Sequence, residues 1–138
     1  LWPAGNPETG YLNTDGSPTK SQILSMRRNG TDERFWNLNF GKHPQEELYQ
    51  LTTDRECLHN LAEEASLQSL KEEMRKKLFE QLRKQGDPRV LGNGDIFDQY
   101  PFAQQSSFFF YERYKDGEIK TYQTNWVNPS DYEKEVID

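Results

Sequence analysis

The chain has 138 residues, room for one domain. Only 33% of them are hydrophobic and the mean hydropathy is -1.07, so any core is lean, offset in part by 13% aromatics that each bury a large area. A formal net charge of -6 offers no attraction to nucleic acid or to an anionic membrane surface, and no apolar run reaches the roughly 18 residues a membrane span needs.

Residues 1–17 read as loop, punctuated by Pro3, Gly5, Pro7, Gly10 and Asp15-Gly16. Ser17-Pro18 starts a helix well. Serine caps the orphan amides, and proline at the first helical position lacks an N–H that would be unpaired there. A short helix is expected from Pro18 to about Arg28, with Asn29-Gly30 as its stop.

The aromatics between Phe35 and Phe40 favour a strand, Gly41 to Pro44 a turn, and Leu48 to Thr52 a second strand, so the two form a hairpin. The clearest helix runs from about Ala65 to Gln85. Leu67, Leu70, Met74, Leu78 and Leu82 fall at helical spacing, opposite a face of Lys, Glu, Arg and Gln. Ser69 to Glu72 matches a capping box, which would move the start later. Gly86-Asp87-Pro88 ends the helix. After a loop over 89–106, Phe108 to Tyr114 and Ile119 to Thr124 flank Asp116-Gly117, a strong hairpin signal. The acidic tail from Asn128 to Asp138 reads as a short helix or as disordered.

The fold class expected is therefore α+β: a small antiparallel sheet with one long amphipathic helix packed on it. Its stretches are 1–33 (connecting loop and short helix), 34–88 (sheet and long helix) and 89–138 (loop, aromatic hairpin and tail). The opening Leu1-Trp2-Pro3-Ala4-Gly5 carries no basic-then-apolar leader and reads as the interior of a longer protein.

The series Glu46-Glu47-Leu48-Tyr49-Gln50-Leu51, Asp54, His59-Asn60-Leu61-Ala62, a long helix and Gly86-Asp87-Pro88-Arg89 resembles the C-terminal end of the sulfatase family. Ser17-Pro18-Thr19 upstream and Asp87-Pro88 downstream are similar to the heparan N-sulfatase (sulfamidase)-like branch. Arg55 stands where many relatives have proline after the aspartate. The resemblance covers roughly residues 2–100. It implies a subdomain docked on a larger, missing N-terminal catalytic domain. It implies hydrolysis of sulfate esters or sulfamates on a sugar or glycosaminoglycan, and a periplasmic, secreted or lysosomal location. It further implies a formylglycine nucleophile made from Cys/Ser-x-Pro-x-Arg and a calcium ion on hard oxygen ligands, both in the catalytic domain.

This chain carries neither. Cys57 sits in Glu56-Cys57-Leu58-His59-Asn60 and Ser17 in Ser-Pro-Thr-Lys, and neither has the required spacing. No catalytic residue and no metal ligand is assigned. As the only cysteine, Cys57 also excludes an internal disulfide and a cysteine-based zinc site. With His59 it reads as a loop residue beside a surface imidazole. His43 is the one substrate-binding candidate, because relatives often carry a basic residue at this turn that reaches an acidic sugar; a solvated turn residue is the competing reading. Asn13, Asp15, Asp95 and Asp98 resemble oxygen ligands, but Gly92 to Asp95 lacks the spacing of a calcium loop, and turn chemistry accounts for it. Asn29-Gly30-Thr31 is a glycosylation sequon. Phe108 to Tyr111 with Trp126 reads either as a sugar-stacking platform or as sheet core and docking surface. A carbohydrate- or protein-binding module without catalysis is the competing function, and a degenerate sulfatase relative a third.

Overall fold

The computed structural model describes residues 2–120, 124–135 and 137. Its helices are α1 (Pro18–Arg28), α2 (Arg34–Asn39), α3 (Gln68–Gln85) and α4 (Phe110–Lys115), joined by 3₁₀ turns and irregular loops. Among the described residues there is no strand and no sheet, which overturns the expected antiparallel sheet. The chain divides into two compact units, residues 1–44 with 104–138, and residues 45–103.

Each expected strand fails for a local reason. Trp36 and Phe40, four residues apart, are both buried in one cluster, a helical spacing that outweighs the β-preference of single aromatics. The Phe35–Phe40 stretch is accordingly α2 and its cap. At Leu48 the backbone groups a ladder would use are already taken. Its amide donates to Asn60 Oδ1 at 2.9 Å, and its carbonyl accepts from Leu61 N at 2.8 Å. The chain then turns at Gln50, whose carbonyl accepts from Thr53 and Asp54 amides.

The expected hairpin over 108–124 is α4 on its first side, and its second side falls partly on residues 121–123, outside the described residues. The Asp-Gly signal is real but serves a different turn. Gly117, at φ 76°, donates to Tyr114 O, and Glu118 N donates to Arg113 O at 2.9 Å. That is the double bond of a helix C-terminal cap, which demands the same left-handed glycine as a tight hairpin.

The expected helices form. In α1, Ser17 Oγ accepts from Lys20 N at 3.1 Å and Pro18 occupies the first turn. α3 follows a 3₁₀ turn over Ala65–Leu67, and its first residue has no side-chain cap, so Ser69 plays no capping role.

The first unit owns the core. Ala4, Tyr11, Leu24, Trp36 and Phe40 cluster with Trp2, Ile23 and Ile137 packed against them. Tyr11 and Phe40 rings lie 4.9 Å apart, and Trp2 meets Trp36 edge-on at 6.1 Å. In the second unit Ala62 is the only buried hydrophobic residue among those described. The stripe of α3 is open instead of packed on a sheet: Leu70 is 46% exposed, Met74 51% and Leu78 56%.

Candidate functional site

Three residues of the series noted in the sequence, Glu46, Asn60 and Ala62, meet at the N-terminal half of α3. Asn60 organises the segment before the helix. Its Oδ1 accepts from Leu48 N and Ala62 N, and its Nδ2 donates to Glu46 O. Arg75 grips the Glu46 carboxylate with Nε and Nη2, one to each oxygen. Lys71 Nζ donates to Ala62 O at 2.6 Å and lies 3.9 Å from Glu46 Oε2. Gln68 Nε2 adds a bond to Ala62 O at 2.9 Å. The Arg75 hydrogen bonds hold the Glu46 carboxyl below the ordinary glutamate range. The first two turns or so of α3, from Gln68 to Arg75, thus bind both ends of the segment from Glu46 to Ala62 through long polar side chains.

Between those ends lies a loop built on Asp54. Its carboxylate accepts from Leu58 N at 3.0 Å and His59 N at 2.9 Å, bonds that keep it ionised well below the usual aspartate range. His59 Nδ1 is 3.7 Å from Asp54 Oδ1. Cys57 adopts φ 54°, a left-handed backbone unusual for a side-chain-bearing residue. Its thiol is half-buried, and no hydrogen bond to His59 joins the two.

His43 lies half-buried in the bend after α2, in the first unit, whereas the Glu46 series belongs to the second. Its neighbour Lys42 stacks its ammonium 5.1 Å from the Trp2 ring.

The first unit also holds a cleft of about 920 Å³ whose walls include Glu8, Arg27, Arg28, Glu33, Tyr114 and Glu133. Its arginines are committed. Arg28 Nε reaches Glu133 Oε2 at 3.1 Å and its Nη1 donates to Ser130 O, while Arg27 lies 3.8 Å from Glu133 Oε1 and 4.4 Å from the Trp36 ring. Trp36 Nε1 donates to Tyr11 Oη at 3.0 Å, and Tyr11 Oη donates to Glu133 Oε1 at 3.1 Å. Burial pushes the Tyr11 hydroxyl well above the ordinary tyrosine range. Behind this wall, Lys20 Nζ donates to the carbonyls of Gly10 (2.8 Å) and Thr14 (2.6 Å) and pairs with Asp131 Oδ2 at 3.3 Å. None of these partnerships was legible. The carboxylates that Lys20, Arg27 and Arg28 pair with, Asp131 and Glu133, lie more than 100 residues further along the chain.

Asp54 is occupied by amides, Asp131 by lysine, and among the described residues no three of His, Cys, Asp and Glu stand close enough to hold a metal ion. No helix among the described residues is long and apolar enough to cross a membrane. No protein-family model, no curated protein and no solved structure matches the chain.

Proposed function

We propose that this chain is the C-terminal part of a sulfatase of the heparan N-sulfatase-like branch. Its task there is to support a catalytic domain that removes sulfate hydrolytically from esters or sulfamates on a sugar or glycosaminoglycan. Water replaces the sugar oxygen or nitrogen on sulfur, and the leaving group takes up a proton. The chemistry belongs to a formylglycine and a calcium site outside this chain, in a periplasmic, secreted or lysosomal protein. His43 is the one residue here assigned to the substrate.

The observation that supports this reading is that Glu46, Asn60 and Ala62, three residues of the resemblance, are tied to one another and to the long helix that follows them, through its Lys71 and Arg75. Glu46, Asn60, Ala62, Lys71 and Arg75 are far apart in sequence yet form one polar clamp. The open stripe of Leu70, Met74 and Leu78 gives a surface for the catalytic domain to cover.

The test is the gene upstream of Leu1, expressed with this chain and assayed for sulfate release from a small aryl sulfate and from an N-sulfated disaccharide. A Cys/Ser-x-Pro-x-Arg motif with release of sulfate supports the reading. An upstream sequence without that motif, or with the motif but no release from either compound after formylglycine is verified by mass, overturns it.

A further inference from the structure

Past α3 the chain wraps into a compact turn that presents an unused arginine. Asp87 Oδ1 accepts from Arg89 N at 2.8 Å, Asn93 N closes back on Pro88 O at 2.7 Å, and a 3₁₀ turn spans Gly94–Gln99. This geometry lays the Arg89 guanidinium over the Phe97 ring, 3.8 Å from its centroid. Phe97 in turn meets Tyr100 edge-on, with centroids 5.8 Å apart at 89°. Arg89 is exposed, and Tyr100 is 55% exposed. No residue among those described accepts a hydrogen bond from the Arg89 guanidinium or pairs with it, and the Tyr100 hydroxyl has no partner there.

Those features have a specific chemical meaning. A guanidinium stacked on an aromatic face has lost much of its conformational freedom while keeping its fork of donors, which matches an oxyanion two bonds at a time. An exposed tyrosine packed against the same phenylalanine offers a flat apolar face and a hydroxyl, the combination that stacks on the C–H face of a pyranose and bonds its hydroxyls. We propose that Arg89 and Tyr100 form a binding site for a sulfated sugar unit, with Arg89 chelating the sulfate and Tyr100 stacking on the ring. The choice of sulfated glycan rests on the function proposed above. The site lies in the second unit, on residues that the catalytic chemistry does not use, and so serves as a hold on the polymer rather than on the scissile group.

The test is titration calorimetry of the full chain with an N-sulfated glucosamine tetrasaccharide and with its unsulfated counterpart. The sulfated compound is expected to bind, and the unsulfated one about tenfold more weakly, the loss of one charge-assisted pair. Arg89→Ala is expected to weaken binding about tenfold and Arg89→Lys by nearly as much, since lysine cannot chelate. Tyr100→Ala weakens it, and Tyr100→Phe weakens it less, because the stacking face survives and only the hydroxyl's bond is lost. Equal binding of the two tetrasaccharides, no binding of the sulfated one, or unchanged binding in Arg89→Ala with a native circular dichroism spectrum overturns the site. Arg89-dependent binding in a protein whose longer form releases no sulfate from an aryl sulfate supports the site and overturns the sulfatase reading alone.

Discussion

Lys20 Nζ and Asp131 Oδ2 lie 3.3 Å apart with both side chains almost wholly out of solvent, joining the first turn of α1 to the 3₁₀ turn over Pro129–Asp131. The pair is supported on both sides. Lys20 donates to two loop carbonyls within 2.8 Å, and Asp131 Oδ2 accepts from Asn128 N at 2.9 Å. A lysine at the start of a helix opposes the helix dipole, so its place here depends on the carboxylate and carbonyls around it. Removing one partner leaves an uncompensated buried charge. Lys20→Met is expected to destabilise the first unit by about 3–5 kcal/mol in urea unfolding, and Lys20→Met with Asp131→Leu by clearly less. A single substitution costing under about 1 kcal/mol would mean the pair is hydrated in solution.

Tyr11 makes the same unit sensitive to alkali. Its hydroxyl is buried between Trp36 and Glu133, and its pKa is raised, chiefly by burial. The folded state keeps the proton where the unfolded chain releases it. The stability it contributes is therefore complete below the unfolded value of about 10 and is lost as pH rises beyond it. Thermal melts at pH 8 and pH 11 are expected to show this loss, and Tyr11→Phe to lessen it while costing about 1 kcal/mol at neutral pH for the bonds removed. An alkaline loss identical in Tyr11→Phe and in the parent would assign it to other groups.

What the sequence disclosed follows from how local each signal is. α1 and α3 were legible because caps, glycine stops and apolar spacing act within a few residues. The sheet was misread because the same cues serve two structures. Trp36 and Phe40 are β-formers at helical spacing, and Asp116-Gly117 closes a helix as well as it turns a hairpin. The polar clamps were illegible for the opposite reason. Arg28 finds Glu133 across 105 positions, and Arg75 finds Glu46 across 29, so only the fold declares them. His43, expected on a turn, lies half-buried in irregular chain after α2, and the clamp around Glu46 was not visible in the sequence.

The clamp between Glu46 and Arg75 gives the second unit an acid limit. Hydrogen bonding from Arg75 lowers the Glu46 pKa, and the amides of Leu58 and His59 lower that of Asp54. Both carboxylates favour folding above their unfolded values, near 4, and that contribution disappears as pH falls through the depressed folded values. Amide exchange at Leu61 and Ala62 is expected to accelerate below about pH 4 relative to α1, after correction for intrinsic rates. Arg75→Ala brings the acceleration to neutral pH. Protection at Leu61 that ignores both acid and Arg75→Ala would show that backbone contacts alone hold the segment.

The open stripe of α3 separates a solvated helix face from a docking face. Leu70, Met74 and Leu78 are half exposed here, in a unit whose only buried hydrophobic residue among those described is Ala62. Met74 and Leu78 keep about half of their surface in water, so replacing either by serine is expected to cost this chain only about 1 kcal/mol. If the stripe is covered by the catalytic domain of a longer protein, each truncation there opens a cavity and costs about 2–5 kcal/mol. The measurement is the paired thermal unfolding of Met74→Ser and Leu78→Ser in this chain and in the upstream-extended protein. The expected result is small effects in the first and a marked loss of stability, with falling sulfatase activity, in the second. Equal and small effects in both would leave the stripe facing water and remove the docking face from the proposed function, while leaving the Glu46–Arg75 clamp untouched.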